Sequence, residues 1–134
     1  MADLYRDQIL DHYRHPHNAG TIENADISYE DSNPLCGDRV RIDIKLDGDR
    51  IADIKFSGRG CAISQASASM LTDMVKGQPL SVVREITGQD MLDELGVQVS
   101  PARVKCALLG LKVLKSGAYG LTEWPDHEQN DGSA

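Results

Sequence analysis

The stretch that decides the fold is Arg39-Val40-Arg41-Ile42-Asp43-Ile44-Lys45-Leu46-Asp47-Gly48-Asp49-Arg50-Ile51-Ala52-Asp53-Ile54-Lys55-Phe56. Val40, Ile42, Ile44 and Leu46 alternate with Arg39, Arg41, Asp43 and Lys45, the period-two pattern of a half-buried strand. Asp47-Gly48-Asp49 supplies the turn. Ala52, Ile54 and Phe56 are then expected on the inward face of a returning strand. A lone hairpin is marginal in water, so this one must pack on helices.

Working outward, residues 26–32 read as a short edge strand ahead of the hairpin. Asp3 can cap a first helix over about 4–14, with Tyr5, Ile9 and Tyr13 on one face. His15-Pro16 stops it, and Asn18-Ala19-Gly20 reads as a loop. After the hairpin, Gly58-Arg59-Gly60-Cys61 leads into a helix over 62–76 bearing Ile63, Ala66, Met70 and Met74, ended by Gly77 and Pro79. The stretch 79–97 carries one or two short helices broken at Gly88 and Gly96. Ser100-Pro101 starts a last helix over 101–116, with Val104, Leu108, Leu111 and Leu114 toward the core and Gly117 closing it. Trp124-Pro125 can dock on this body, and Glu128 to Ala134 reads as a mobile acidic tail.

The 134 residues suit one domain with one core. No run of about 18 apolar residues exists, so no membrane span is expected. The charged stretch Ala2 to Asp7 lacks the apolar region of a secretory signal. A formal charge of −7 disfavours nucleic acid and anionic lipid as partners. Three cysteines, an odd number, cannot all pair within the chain, and the expected compartment is the reducing cytoplasm.

Free thiols in that setting are buried small hydrophobes, reactive groups or metal ligands. Cys36 and Asp38 flank Gly37, and a thiolate beside a carboxylate is repelled unless a cation sits between them. The hairpin brings Cys36, just before it, close to Cys61, just after it at a helix N-terminus. Pattern does not place Cys106 beside them. Three thiolates and one carboxylate would suit zinc, iron or iron–sulfur chemistry. The spacing is no zinc-finger pattern and contains no CxxC, so inert buried cysteines remain an alternative.

His12, His15 and His17 have the look of a ligand cluster. A histidine near a helix C-terminus is favoured by the dipole in any case, so a structural or surface role is expected for them. The small residues Ser64 to Ser69 are expected to permit close helix packing.

Four stretches carry a resemblance. They are Asp11-His12-Tyr13-Arg14-His15-Pro16-His17-Asn18, Asn33-Pro34-Leu35-Cys36-Gly37-Asp38, Phe56 to Ser69, and Pro101-Ala102-Arg103-Val104-Lys105-Cys106. In this order, over residues 4–117, the chain resembles the IscU/SufU family of iron–sulfur assembly proteins, related to the N-terminal domain of NifU. The resemblance implies an α+β fold: a small three-stranded antiparallel sheet covered on one face by helices, with a long C-terminal helix. It implies a NifU N-terminal-like domain over 1–117 and leaves unexplained the tail over 118–134, which loses periodicity and reads as partly disordered. It also implies that Cys36, Asp38, Cys61 and Cys106 converge as ligands of zinc or of a transient 2Fe–2S cluster.

The implied role is to accept persulfide sulfur from a cysteine desulfurase of IscS or SufS type and to assemble or relay a cluster for recipient apo-proteins. The alternative is a zinc-dependent sulfurtransferase that serves the desulfurase without building a cluster. Cys36 is the candidate acceptor in the SufU reading and Cys106 in the IscU reading. Asp38 would tune lability, while Arg59 and Lys105 would offset the charge of the thiolates. Lys105 stands where IscU has histidine, as in SufU. The stretch 62–105 is too short for the insertion usual in SufU, so the chain looks like SufU at the site and like IscU in length. The segment 99–103 departs from the chaperone-binding motif of IscU, which argues against dedicated chaperone docking.

Overall fold

The computed structural model describes residues 2–34, 37–121 and 123–125. Helix α1 (Ala2–Arg14) is followed by strands β1 (Ile27–Asn33), β2 (Asp38–Asp47) and β3 (Arg50–Arg59). Then come α2 (Ala62–Val75), α3 (Val82–Glu85), α4 (Gly88–Leu95), a 3₁₀ turn (Pro101–Arg103) and α5 (Val104–Tyr119). The strands form one antiparallel sheet in the order β1-β2-β3. Helix α5 packs on β1 and β2, α2 packs on β3, and the two helices pack on each other. This is the α+β arrangement expected. Among the described residues no helix is long and apolar enough to cross a membrane.

The hairpin forms where its alternation places it. Val40, Ile42, Ile44, Ile54 and Phe56 are buried against the helices. Each such side chain contributes roughly 1.5–3 kcal/mol relative to exposure. The expectation for Ala52 is corrected, since Ala52 is exposed and Ile51 is buried in its stead. The register explains the exchange: Lys45 pairs with Asp53 but Leu46 pairs with Ile51, so Ala52 is the extra residue of a bulge. Asp43 is likewise corrected from solvent-facing to buried. Its carboxylate accepts hydrogen bonds from the Ile22 amide at 3.0 Å, the Ser28 hydroxyl at 2.6 Å and Arg41 Nε at 3.0 Å. The segment before β1 thus lies over the outer face of the sheet at this point.

The loop at Asn18-Ala19-Gly20 does more than connect. It bridges to Phe56 on the free edge of β3, through Gly20 N–H to Phe56 O and Phe56 N–H to Asn18 O. The segment 77–80 bonds to the same strand further along, at Asp49 and Ile51. Strand edges left open invite pairing with other chains, and both contacts cover this one.

Three helix ends differ from expectation. Helix α1 already includes Asp3, so its start lies ahead of the expected cap. Of its expected apolar face, Ile9 is buried, Tyr13 is 45% exposed and the Tyr5 side chain lies outside the described residues. His12 takes the inward place instead. Burial, then the neighbouring His17, hold its ring below the ordinary imidazole value. Ser100 makes no side-chain cap, and its Pro101 opens a 3₁₀ turn that continues into α5. Finally, α5 runs through Gly117 and ends at Gly120, whose φ of 72° is the left-handed stop. Gly117 serves packing: a Cβ there would come within 3.0 Å of Tyr29 Cβ and 3.2 Å of Ile27 Cγ2 on β1.

Helix α5 is buried on most of its circumference, from Val104 to Ser116. Helix α2 is buried from Ser64 to Thr72 apart from Gln65, including its hydroxyl residues. The run Ser64–Ser69 permits this close approach, as expected. Trp124 docks against the core, with the ammonium groups of Lys105 and Lys112 each 5.3 Å from its ring centroid. The expected tail from Glu128 to Ala134 lies outside the described residues.

Candidate functional site

Three chain segments meet at one end of the sheet. Asp38 is the first residue of β2, Cys61 follows the end of β3, and Cys106 is in the first turn of α5. The hairpin accounts for the first two, since Arg39 pairs with Arg59 at its open end. The third is brought in by helix packing. The Ser67 hydroxyl of α2 donates to the Ala107 carbonyl of α5 at 2.6 Å, one residue past Cys106.

One ligand atom from each of Asp38, Cys61 and Cys106 lies within 4.8 Å of the other two. Asp38 is 1% exposed and Cys106 also 1%, while Cys61 is half-buried. Such a carboxylate needs partners. Asp38 Oδ1 accepts the Cys61 backbone N–H at 3.0 Å, and Oδ2 lies 3.8 Å from Cys61 Sγ. Cys61 is the N-cap of α2 and makes no side-chain capping bond, so its thiol is not engaged with the helix start. Cys36, the fourth member of the expected set, lies outside the described residues, as does Leu35.

The donors suit a borderline-soft divalent ion. Zinc–sulfur and zinc–oxygen bonds of about 2.0–2.3 Å put neighbouring tetrahedral ligands roughly 3.3–3.8 Å apart, within a short adjustment of the spacing seen. Two sulfurs and an oxygen converging from three elements fit zinc, or iron held by thiolates. When bound, the ion would hold thiols as thiolates and fix the three elements together.

Sequence reasoning missed Gly60. A Cβ at this position would lie 2.4 Å from both Asp38 Oδ1 and Ser64 Oγ. Glycine is therefore what admits the Asp38 carboxylate to the start of α2. The signal for it in the sequence is the Gly58-Arg59-Gly60 run. Of the two cations expected to balance charge, Arg59 is exposed and Lys105 directs its ammonium to Trp124. Of the three histidines, His15 is exposed, while His12 and His17 face Asp73 in a second group at the far end of α2.

Comparison with known proteins agrees with this architecture. The chain is 41% identical to the zinc-dependent sulfurtransferase SufU of Bacillus subtilis, over 87% of this chain and 90% of that one. It is 38% identical to the iron–sulfur cluster assembly scaffold protein IscU of Aquifex aeolicus, over 85% and 73% of the two chains. The crystal structure of SufU from Fervidobacterium islandicum superposes with a TM-score of 0.71 at 32% identity, covering 84% of this chain and 94% of that one. The NifU-like N terminal domain model matches residues 4–126, and the chain belongs to that family.

Proposed function

We propose that this chain is an iron–sulfur assembly scaffold and sulfur acceptor, with Cys36, Asp38, Cys61 and Cys106 as its ligand set. The observation that carries the reading is the convergence of Asp38, Cys61 and Cys106 from three separate elements. A cysteine desulfurase is the sulfur donor and apo-proteins are the recipients, in the reducing cytoplasm. The acceptor thiolate attacks the terminal sulfur of the donor's persulfide. A new S–S bond forms, the donor's S–S bond breaks, and the donor thiolate leaves, so the step needs no added oxidant.

Only the thiolate attacks, and it must be reachable. Cys106 is buried, so its attack requires the site to open. Cys61 is more accessible and has the helix dipole behind it. Cys36 remains the acceptor favoured under the SufU reading. Iron and sulfide are cargo here: two electrons per sulfur, from a thiol reductant or ferrous iron, cleave the persulfide to sulfide and restore the thiolate, and the cluster assembled on the thiolates is passed on.

A second reading is supported by the Bacillus subtilis relative, which is named a zinc-dependent sulfurtransferase. In it, zinc is resident and the chain relays sulfur without building a cluster. Anaerobic incubation with ferrous iron, cysteine, a desulfurase and a thiol reductant, which takes sulfane sulfur to sulfide, separates the two. The scaffold reading expects sulfide-to-iron charge-transfer absorption to grow in with one cluster per site. Raised desulfurase turnover without that absorption would overturn the scaffold in favour of the relay. Absence of persulfide on every cysteine after exposure to cysteine and desulfurase alone would overturn both.

A further inference from the structure

We propose a second, thiol-free metal site formed by His12, His17 and Asp73, selective for borderline divalent ions such as zinc, cobalt or nickel. One nitrogen from each ring and one Asp73 oxygen lie within 4.8 Å of one another. The residues come from α1, from the loop after it and from α2, so an ion there would tie these segments together. This goes beyond the structural or surface role expected for His12 and His17 from sequence.

The surroundings hold the donors in place. A single hydroxyl, Ser69 Oγ, lies 2.7 Å from His12 Nδ1 and accepts the His17 backbone N–H at 2.8 Å. A ligating imidazole ordinarily engages such a partner through its other nitrogen. Here Ser69 occupies Nδ1 of His12, which leaves Nε2 for an ion. Asn18 Nδ2 donates to Asp73 Oδ1 at 3.0 Å, and Asp73 Oδ2 lies 2.5 Å from His17 Nδ1. The two imidazole centroids are 4.4 Å apart.

The site is reachable. It opens on a cleft of about 280 Å³ lined by Gln8, His12, Met70, Asp73, Met74 and Glu94. His17 and Asp73 are each 46% exposed at the side chain, so both can adjust to an incoming ion. Two imidazoles and a carboxylate favour zinc, cobalt or nickel over magnesium or calcium, which prefer all-oxygen cages. Three protein ligands leave a further position to water.

Cobalt(II) titration of the full chain, followed by absorption under anaerobic conditions, tests the site apart from the thiolate centre. Cobalt on cysteine gives intense near-ultraviolet charge transfer, whereas cobalt on imidazole and carboxylate gives only weak visible bands. The intact chain is expected to bind one equivalent without charge transfer. His17→Gln and Asp73→Asn should each lose that equivalent, while His15→Gln keeps it. Equal stoichiometry in the intact chain and either of the first two variants would overturn the proposal, whether or not a thiolate band develops. If the thiolate band fails to appear while the histidine-dependent equivalent persists, the proposal stands and the reading of the cysteine centre falls.

Discussion

Helix α2 has a donor cluster at each end, and the two are built differently. At its start, Asp38, Cys61 and Cys106 come from two strand ends and another helix. Two of the three are almost fully buried there. At Asp73, about 18 Å further along at ~1.5 Å per residue, a buried His12 meets the half-exposed His17 and Asp73. The first cluster exists only when sheet, α2 and α5 are all assembled. The second needs only α1, its following loop and α2. Thiolates at a positive helix end suit a soft, tightly held guest. Imidazoles in a wet cleft suit an exchangeable one.

The sharpest way to break the contrast is Cys61→Ser. It should weaken zinc affinity at the first cluster by more than about a hundredfold, because a lost ligand exceeds the 10–100-fold cost of losing an outer partner. Competition against a chelator measures this. Binding at the histidine cluster should be unchanged. Next is Gly60→Ala, whose added methyl collides with Asp38 and Ser64. Overpacking of this kind costs about 2 kcal/mol, read as a lower urea midpoint. Asp38 should also be displaced from the start of α2.

Asp38→Ala probes the weak member of the set. Oxygen is the harder ligand and the readier to leave, and its removal is expected to slow loss of bound metal or cluster. Stopped-flow transfer to a chelator gives the rate, and an unaltered rate would remove Asp38 from the ligand set. Ser67→Ala deletes the bond that pins α5 to α2 beside Cys106. A loss of about 1 kcal/mol in chemical unfolding is expected.

The smallest effect concerns Asp43, remote from both clusters. Burial raises its carboxyl pKa, but the bonds from Ser28, the Ile22 amide and Arg41 outweigh this and leave it below the ordinary carboxylate value. A carboxyl depressed on folding contributes stability in full above its unfolded pKa. That contribution fades as pH falls toward the folded value. Asp43→Asn should therefore flatten the acid side of the stability profile below about pH 4, with urea midpoints measured against pH.

Much of this was legible because it is local. Period-two alternation exposed the hairpin, and the hairpin alone explains why the start of β2 lies beside the start of α2. What escaped depends on contacts between distant segments. Alternation assigned Asp43 to solvent because nothing nearby in sequence shows that residues 22 and 28 will satisfy it. Ala52 was misplaced because a bulge at Lys45/Leu46 changes the phase of the following strand without any Gly or Pro to mark it. Gly117 looked like a stop, but glycine answers two needs, a left-handed turn and a close neighbour, and only the position of β1 tells which. The place of Cys106 came from family resemblance, since helix–helix docking leaves no periodic trace. His12 and His17 stood out as residue types, but their partner Asp73 is far along the chain and on another element.

The covered edge of β3 has a consequence for life in a crowded cell. With β3 sealed by residues 18–20 and 77–80, β1 is the flank of the described sheet left for another copy to zip onto. That flank carries Glu30 paired with Arg39 and Asp31 paired with Lys112, so a strand zipping on would have to disturb these ion pairs. The molecule can thus open one end to exchange cargo while its flanks resist runaway self-association.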